Sequence, residues 1–387
     1  MSKEALYLID AYGLIYRSYF AFLSRPLMNP AGKNVSALFG FARTLVTLLN
    51  EGAPAADTED FDKKNIEIRK PHLMATVFDP KGPTFRHKMY SEYKATRQKT
   101  PEDLHAQVPL VEEFLKSLGI PVLRVDGFEA DDIIATLAEK CQAEGRQCYI
   151  LSSDKDLLQL VGKGTWELRP TKAIKYEAGD GLPYELVGPR EVKDEWKVNP
   201  DKVLDLLSLT GDSSDNVPGV KGVGEVTAVK LMTRYGSLDA IYDNIAGIEG
   251  AIGKKIAEGK ESAYFSRSLI KLENNVPLEV KSIEELSIEK LNRKEGAEIL
   301  LREGIRQSAK QLDSLAKADP VKNETGKVQR EEENAETPSL NIDSSLLGKG
   351  NYKTILGEDE LKVVLEKAKK AKLLALDFET DSLDAWN

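Results

Sequence analysis

Short apolar runs alternate with amphipathic stretches through the first half of the chain. The runs are rich in β-branched and aromatic residues, which favours strands, whereas the amphipathic stretches repeat with helical periodicity. The predicted strands are 5–10, 73–79 and 147–154, and the predicted helices are 36–50, 103–118 and 129–144. This alternation predicts an α/β fold with a central, mainly parallel sheet.

Each predicted strand carries an aspartate at its C-terminal end, namely Asp10, Asp79 and Asp154. Ligands of open parallel sheets bind beyond the carboxyl ends of the strands, so these side chains should converge on one edge. A single aspartate at such a position also suits a turn or a helix cap. Three in equivalent positions favour a shared function.

The stretch VDGFEADDIIATLAEK (125–140) places Glu129, Asp131 and Asp132 ahead of a helix with one apolar face. Acids in the first turn of a helix are stabilised by its dipole by roughly 0.3–1 kcal/mol each, and this alone could account for them. The alternative interpretation is a metal site.

Asp212 and Asp215 add two acids just before a glycine-rich turn. The element ends then carry nine carboxylates: Asp10, Asp79, Glu129, Asp131, Asp132, Asp154, Asp156, Asp212 and Asp215. Such a set would repel itself without cations, and Mg²⁺ prefers carboxylate oxygens. Two ions would activate a water and stabilise the leaving oxygen of a phosphodiester. The nine acids therefore predict a metal-dependent hydrolase.

The turn itself, VPGVKGVGEVTAVKLMTRYG, contains Gly219, Gly222 and Gly224 before a helix with one apolar face. The N-terminus of such a helix can bind phosphate through its backbone N–H groups, although a tight helix–helix turn is an equal alternative. A second glycine-plus-lysine helix start, at 251–262, contains Lys254 and Lys255. Two such turns suit a duplex.

Basic charge is concentrated between Lys81 and Lys99, where six Lys or Arg face a single acid, Glu92. Phe85, Tyr90 and Tyr93 are interleaved with these cations. Aromatic residues among cations suit single-stranded nucleic acid, in which bases stack and phosphates pair. A solvated charged loop is the alternative.

Composition bounds these interpretations. The 387 residues suffice for two or three domains, and a net charge of −9 disfavours a nucleic-acid partner, although the distribution of charge matters more than its sum. Two cysteines cannot build a disulfide framework, and three histidines are too few for a structural zinc site, so a reducing cytoplasm fits. Neither a signal peptide nor a membrane span is indicated.

Five stretches of the chain, in order, resemble the N-terminal 5′-nucleases of bacterial type I DNA polymerases, which belong to the flap endonuclease family. They are LYLIDAYGLIYRSYFAF, VFDPKGPTFRHKMYSEYKATR, GFEADDIIATLA, ILSSDKDLLQLV and LTGDSSDNVPGVKGVGEVTA, and the resemblance extends from about residue 4 to 285. It implies a PIN-like nuclease domain at 1–185 with an arch near 81–118. A helical DNA-binding domain would follow at 186–312, with a helix–three-turn–helix at 216–236.

The resemblance also implies roles for individual residues. All nine acids match the family's metal site for two or more Mg²⁺ ions, for which Mn²⁺ could substitute, and a K⁺ ion is expected at the helix–three-turn–helix. Lys94 and Arg97 match catalytic basic residues that contact the scissile phosphate. The DNA-binding positions would be Arg17, Arg86, Tyr93, Gly219, Gly222, Gly224, Lys254 and Lys255.

The family removes RNA primers and cuts 5′ flaps on branched or nicked duplex DNA, in the bacterial cytoplasm at the nucleoid and away from membranes. One departure from its pattern is the long acidic stretch 51–71. Residues 313–350 are polar and charged, as expected of a flexible linker.

Residues 351–387 resemble the start of a 3′-to-5′ exonuclease domain, with Asp377 and Glu379 as its first acid pair. With eight residues after Glu379, this pair should be inert, and polymerase and proofreading modules are expected only in a longer chain. Two other classes remain for comparison. A non-catalytic binder of branched DNA would not need the nine acids, and a phosphatase for small molecules would not need the glycine turns or the basic segment.

Overall fold

The computed structural model describes residues 4–56, 67–171 and 184–318, all within one compact unit. The middle of the acidic stretch 51–71 and nearly all of the predicted linker lie outside the described residues. So does the whole of 351–387, including Asp377 and Glu379. Within the described ranges no helix combines the length and apolarity that a bilayer crossing requires.

The described ranges contain eight strands. They are β1 (Leu6–Asp10), β2 (Ala53–Ala55), β3 (Glu67–Arg69), β4 (Leu73–Val77), β5 (Val122–Leu123), β6 (Cys148–Leu151), β7 (Thr165–Pro170) and β8 (Tyr184–Val187). Six of them form one sheet in the order β5-β4-β1-β6-β7-β8, and β2 pairs with β3. All neighbours in the large sheet are parallel except β7 and β8, so the predicted mainly parallel sheet is confirmed.

Fourteen α-helices lie in the same ranges. They are α1 (Ala11–Ala21), α2 (Ser36–Glu51), α3 (Phe85–Met89), α4 (Glu102–His105), α5 (Val108–Leu118), α6 (Ala130–Ala143), α7 (Pro189–Trp196), α8 (Val203–Thr210), α9 (Glu225–Tyr235), α10 (Leu238–Asp243), α11 (Gly250–Glu258), α12 (Lys260–Ile270), α13 (Arg293–Arg302) and α14 (Arg306–Ala318).

The predicted helix 103–118 is interrupted, because α4 ends at His105 and α5 begins at Val108. Pro109 lies in the first turn of α5, where its missing N–H costs nothing but a continuous helix from 103 would be broken. Helix α5 buries Val111, Phe114 and other side chains in the core. The predicted arch, near 81–118, is therefore too long at its C-terminal end.

Three apolar clusters hold the body together. One cluster lies on the face of the sheet that α1, α2 and α5 cover, and a second lies between the opposite face and α6. The third fills the helical part around α8, α9 and α12. The sheet is thus covered by helices on both faces, which explains why all five residues of β1 are buried.

The last two helices do not belong to the helical cluster. Side chains of α13 and α14, including Leu300 and Leu312, join the first cluster and pack on α5 and α2. The predicted helical domain at 186–312 is therefore wrong in its final part. Residues from about 290 onward complete the core of the nuclease-like layer instead.

Replacing Leu300 by alanine should lower the free energy of unfolding by about 2–5 kcal/mol, because it empties a fully buried position. The adjacent Leu301 is 52% exposed, so Leu301→Ala should change that free energy by about 0.5 kcal/mol or less. Urea unfolding followed by the fluorescence of Trp166, which lies in the same cluster, measures both. Equal losses in the two variants would contradict the packing of α13 against the core.

Candidate active site

The acids meet where the sheet reverses its strand order. Strand β1 lies between β4 and β6, so the chain winds to one side of β1 and then to the other, which opens a crevice at the carboxyl ends. Asp10 is the last residue of β1, and Ser152, just after β6, donates a 2.9 Å hydrogen bond to Asp10 Oδ2. The predicted convergence of strand-end aspartates is found at this edge.

The first acid group comprises Asp10, Asp79, Asp131 and Asp154, which all line one cavity of about 800 Å³. Asp79 Oδ1 accepts a 2.8 Å hydrogen bond from the backbone N–H of Ala130 and so ties β4 to the start of α6. This tie places the first turn of α6 beside the strand ends. Four carboxylates from three strands and one helix therefore face the same space.

Crowding of these carboxylates changes their protonation. Burial, together with the charges of Asp154 and Asp79, raises the pKa of Asp10 from 3.8 to about 6, although the Gly13 N–H stabilises the carboxylate. Burial and the neighbouring aspartates likewise hold the pKa of Asp131 well above its ordinary value. The first acid group thus favours the addition of protons or other cations.

A second acid group lies next to it. Carboxylate oxygens of Asp156, Asp212 and Asp215 all lie within 4.8 Å of one another. Burial and the charges of Asp154, Asp212 and Asp215 hold the pKa of Asp156 well above its ordinary value. Burial acts in the same direction on Asp212, but hydrogen bonds from Ser214 and Lys155 leave its pKa below the ordinary range.

Both groups suit a hard divalent cation. Their donors are carboxylate oxygens from several rigid elements, which is the ligand chemistry of Mg²⁺ and Mn²⁺. Asp156 Oδ1 is buried and has no hydrogen-bond partner among the described residues. An ion at the second group would give Asp156 Oδ1 the partner that it lacks. An ion at the first group would relieve the repulsion among its carboxylates.

Two cations of the chain lie over the acids. Lys94 Nζ is 2.7 Å from Glu129 Oε1 and 3.7 Å from Asp215 Oδ2, and Arg97 pairs with Asp215. Lys94 has a φ of 58°, in the left-handed region, and its backbone N–H donates a 2.9 Å hydrogen bond to Asp215 O. The basic segment therefore reaches Glu129 and Asp215, in agreement with its position after Asp79 in the chain.

Asp132 does not join the other acids. It is fully buried, and its carboxylate accepts both arms of the Arg86 guanidinium at 2.7 and 2.8 Å. The N–H groups of Glu129 and Glu273 donate to the same two oxygens. With four hydrogen bonds and no exposed surface, Asp132 has no lone pair for an ion, so its prediction as a metal ligand is wrong in this structure.

Arg86 is equally inaccessible, because it is 1% exposed and also donates to the carbonyls of Leu269 and Lys271. Its prediction as a DNA contact is therefore wrong. Tyr93, which also has such a predicted contact, is buried and donates to Glu129 and Asp215. Arg86 and Tyr93 thus hold acidic side chains in place from the interior of the protein.

Arg17 lies on a different face of α1 from the acids. Its Nη2 donates a 2.8 Å hydrogen bond to Thr171 O, and it lines a second cavity of about 560 Å³ with Arg43. The neighbouring face of α1 presents Tyr12, Tyr16 and Phe20 to the active-site cavity, and Phe20 also borders the second cavity. Their spacing of four residues is a helical signal that could have identified this aromatic stripe from the sequence.

Gly13 and Lys155 were also not predicted. A Cβ at Gly13 would lie 2.2 Å from Asp10 Oδ2, so only glycine leaves room for that carboxylate. Lys155 Nζ is 2.9 Å from Asp212 Oδ1 and neutralises part of the second acid group. Its position between Asp154 and Asp156 is the only local signal of this role.

The glycine turn begins immediately after the second acid group. Gly211 and Gly219 have positive φ, and their backbones pack so closely that a Cβ at Gly219 would lie 2.3 Å from Gly211 N. Gly224 caps α9, and a Cβ there would meet nothing within 4 Å. Lys255 Nζ donates to Gly222 O across the turn. The turn therefore presents a helix N-terminus with open space and a lysine beside it.

Two family models match consecutive parts of this chain. Residues 5–197 match a model described as 5′-3′ exonuclease, N-terminal resolvase-like domain, and residues 198–294 match one described as 5′-3′ exonuclease, C-terminal SAM fold. Together they agree with the α/β layer and the helical part, so the predicted fold class is confirmed. The boundary between the models follows α7 rather than residue 185.

Curated relatives are much longer than this chain. DNA polymerase I of Treponema pallidum is 47% identical over 309 residues, which are 80% of this chain and 28% of that protein. DNA polymerase I of Borreliella burgdorferi is 34% identical over 387 residues, or 99% of this chain and 39% of that protein. The chain therefore spans well under half the length of these relatives.

A solved structure shares the fold at low identity. It is a bacteriophage T5 flap endonuclease in a pseudo-enzyme–product complex with DNA and metal ions. The TM-score is 0.53 at 15% identity, over 81% of this chain and all of that one.

Protein stripped of divalent ions should be stabilised by Asp10→Asn at neutral pH. The pKa of Asp10 in the folded protein, about 6, lies above the ordinary 3.8, so this carboxyl favours folding most below pH 4 and loses that contribution as the pH rises to about 6. The melting temperature of the variant should match wild type near pH 4 and exceed it by roughly 2–8 °C at pH 7. Differential scanning fluorimetry in EDTA measures this.

Adding Mg²⁺ at pH 7 should raise the melting temperature of wild type more than that of Asp10→Asn. Glu139→Gln removes a charge from an exposed position on α6 and serves as the control, with a Mg²⁺ response like that of wild type. A variant that melts below wild type in EDTA at pH 7 would refute the repulsion between these acids.

Proposed function

The chain belongs to the family of 5′-3′ exonucleases, and we propose that residues 5–294, which match the two family models, form a Mg²⁺-dependent 5′-nuclease. Its substrates are nicked or branched duplex DNA with a 5′ flap, and RNA primers. The observation that carries this proposal is the meeting of two carboxylate groups with Lys94 and Arg97 directly beside a glycine turn suited to a duplex. Mn²⁺ is expected to substitute for Mg²⁺.

Seven of the nine predicted acids are proposed to hold the ions, and Asp132 and Glu129 are left out. Asp10, Asp79, Asp131 and Asp154 would hold one ion, and Asp156, Asp212 and Asp215 another, while Glu129 lies between Lys94 and Tyr93. The ions would lower the pKa of a water and offset charge on the leaving oxygen. The carboxylates lie at strand ends and helix starts. These rigid elements therefore determine where the ions, and the positive charge that they carry, would be held.

Lys94 and Arg97 are proposed to contact the scissile phosphate. Both border the active-site cavity, and both lie within ion-pair distance of Asp215, whose charge a bound cation would offset. Their donors then become available to an anionic phosphate at the same place. Charge that develops on the phosphate in the transition state would be stabilised by these two side chains.

The aromatic stripe of Tyr12, Tyr16 and Phe20 suits the unpaired strand. Ring centroids along it are 6.2 and 6.1 Å apart, and all three rings border the active-site cavity. Phe20 is half exposed. Bases of a single strand stack on such side chains with little regard to sequence. The stripe would guide a flap toward the acids.

The duplex is proposed to bind at the glycine turn. Gly219 and Gly222 pack against Gly211 and Lys255, whereas Gly224 leaves open space in which the backbone can approach a phosphate. Lys255 lies beside the turn, and Lys254 lies on the same helix, so both can supply positive charge to a duplex. A K⁺ ion at this turn remains a proposal by family resemblance. Asp212 and Asp215 lie on the segment that leads into the turn. Only a few residues therefore separate the proposed duplex-binding site from the second acid group.

The wider context is also proposed from the family. The chain would be the N-terminal part of a longer DNA polymerase of type I that works in the bacterial cytoplasm at the nucleoid. Polymerase and proofreading modules would lie in the longer chain. The acidic stretch 51–71 has no proposed role.

Lys94→Met should lower the single-turnover cleavage rate of a 5′-labelled flap duplex in Mg²⁺ by about 10²–10³-fold. Its affinity for the flap in Ca²⁺ should fall by less than about tenfold, because one phosphate contact among many is lost. Lys88→Met, an exposed change on α3, is the control and should retain both. Equal losses in rate and affinity would mark Lys94 as a general phosphate contact, and no Mg²⁺-dependent cleavage by wild type would refute the proposed function.

Gly224→Ala should weaken duplex binding without unfolding the protein. The added methyl meets no protein atom within 4 Å and φ is negative there, so the melting temperature should change little. It would nevertheless stand where a phosphate approaches the N-terminus of α9. Gly219→Ala is the contrasting variant, since strain and a 2.3 Å contact should lower its melting temperature. Unchanged duplex affinity in Gly224→Ala, measured by fluorescence anisotropy, would contradict phosphate binding at this turn.

A further inference from the structure

Arg86 makes an unusually complete set of contacts for a charged side chain. It is 1% exposed, and besides its fork onto Asp132 it donates from Nε to Leu269 O at 2.7 Å and from Nη2 to Lys271 O at 2.9 Å. Its Nη1 also lies 3.4 Å from Glu129 Oε2. One guanidinium thus joins α3, the start of α6 and the segment that follows α12.

The carboxylate of Asp132 extends the same connection. Asp132 Oδ1 accepts from the N–H of Glu273 at 2.9 Å, and Asp132 Oδ2 accepts from the N–H of Glu129 at 3.0 Å. The second bond fixes the backbone of an acid that faces the metal site. The buried Arg86–Asp132 pair therefore connects the C-terminal end of α12 to Glu129 without an intervening flexible segment.

The N-terminal part of α12 holds the glycine turn. Ser262 Oγ donates to Gly219 O at 2.6 Å, and Gly219 N donates to the buried Ser266 Oγ at 2.9 Å. Helix α12 has 11 residues and spans about 16 Å. It is a rigid strut with the duplex-binding turn on its first two turns and the Arg86–Asp132 pair at its other end.

We propose that the Arg86–Asp132 pair is a positioning device: it fixes the separation between the duplex-binding turn and the metal-site acids, and thereby selects which phosphodiester bond is cut. Successive nucleotides of one strand are about 3.4 Å apart along a duplex. A shift of α12 by that distance would move the next bond into the site. The inference rests on the proposed function, because it assumes that duplex binds at the turn and is cleaved at the acids.

Arg86→Lys tests the device. Lysine keeps the positive charge but lacks the planar fork, so it cannot hold Asp132 and the two carbonyls at once. We expect wild type to yield one major product from a labelled 5′-flap duplex, resolved to single nucleotides on a denaturing gel. We expect the variant to spread its cuts over neighbouring bonds and to cut about 10–100-fold more slowly.

The matched control is Arg267→Lys on the same helix. Arg267 pairs with the exposed Asp239 at 3.1 Å and with the buried Asp205 at 3.4 Å. Neither acid is a proposed metal ligand, so the same substitution there should leave the product length unchanged. Ser266→Ala is a milder change at the other end of the strut and should also broaden the product distribution. It decides the question if Arg86→Lys does not fold, as judged by its melting temperature.

Asp132→Asn separates the alternatives. Broadened products, with a Mg²⁺-induced rise in melting temperature like that of wild type, support the positioning role. Loss of both cleavage and that rise would make Asp132 a metal ligand and overturn the inference. A single unchanged product from folded Arg86→Lys and Ser266→Ala would overturn it too, whereas wild type that cuts no flap would refute the proposed function and the inference together.

Discussion

Repulsion among carboxylates gathered at one edge of the sheet is the interaction on which the rest of the structure depends. Parallel strands must end on the same edge, so aspartates that follow β1, β4 and β6 cannot avoid one another. Local donors offset part of this repulsion: Gly13 and Ser152 donate to Asp10, and the backbone N–H of Ala130 donates to Asp79. The compensation is incomplete, since the pKa values of Asp10 and Asp154 stay above their ordinary value, and this incomplete balance favours the binding of external cations.

The sequence was informative where position along the chain determines position in space. Asp10 could be placed because the end of a parallel strand has a known location. Asp131 and Asp132 could not be separated, because neighbours on a helix point about 100° apart and their adjacency says nothing about which one faces the cavity. Only the fold shows that Asp131 lines the cavity while Asp132 points into the interior.

Contacts between residues that lie far apart in the sequence could not be predicted from local sequence patterns. Arg86 stands among solvated cations in the sequence, yet the carbonyls that bury it come from Leu269 and Lys271, more than 180 residues later. Likewise, α13 and α14 follow the helical part in the chain but pack on α2 and α5. An amphipathic pattern predicts that one face of a helix is buried, but it does not identify the element against which that face packs.

A net charge of −9 is compatible with a polyanionic substrate because the charges are segregated. Lys94 and Arg97 are paired with Glu129 and Asp215, so in the free protein they are poorly available to a phosphate. Divalent cations at the acids would release these side chains, and a phosphate held by them would in turn add negative charge beside the ions. Under the proposed function, each ligand therefore favours the other, and reciprocity requires that DNA raise the affinity for the metal by the same factor as the metal raises the affinity for DNA.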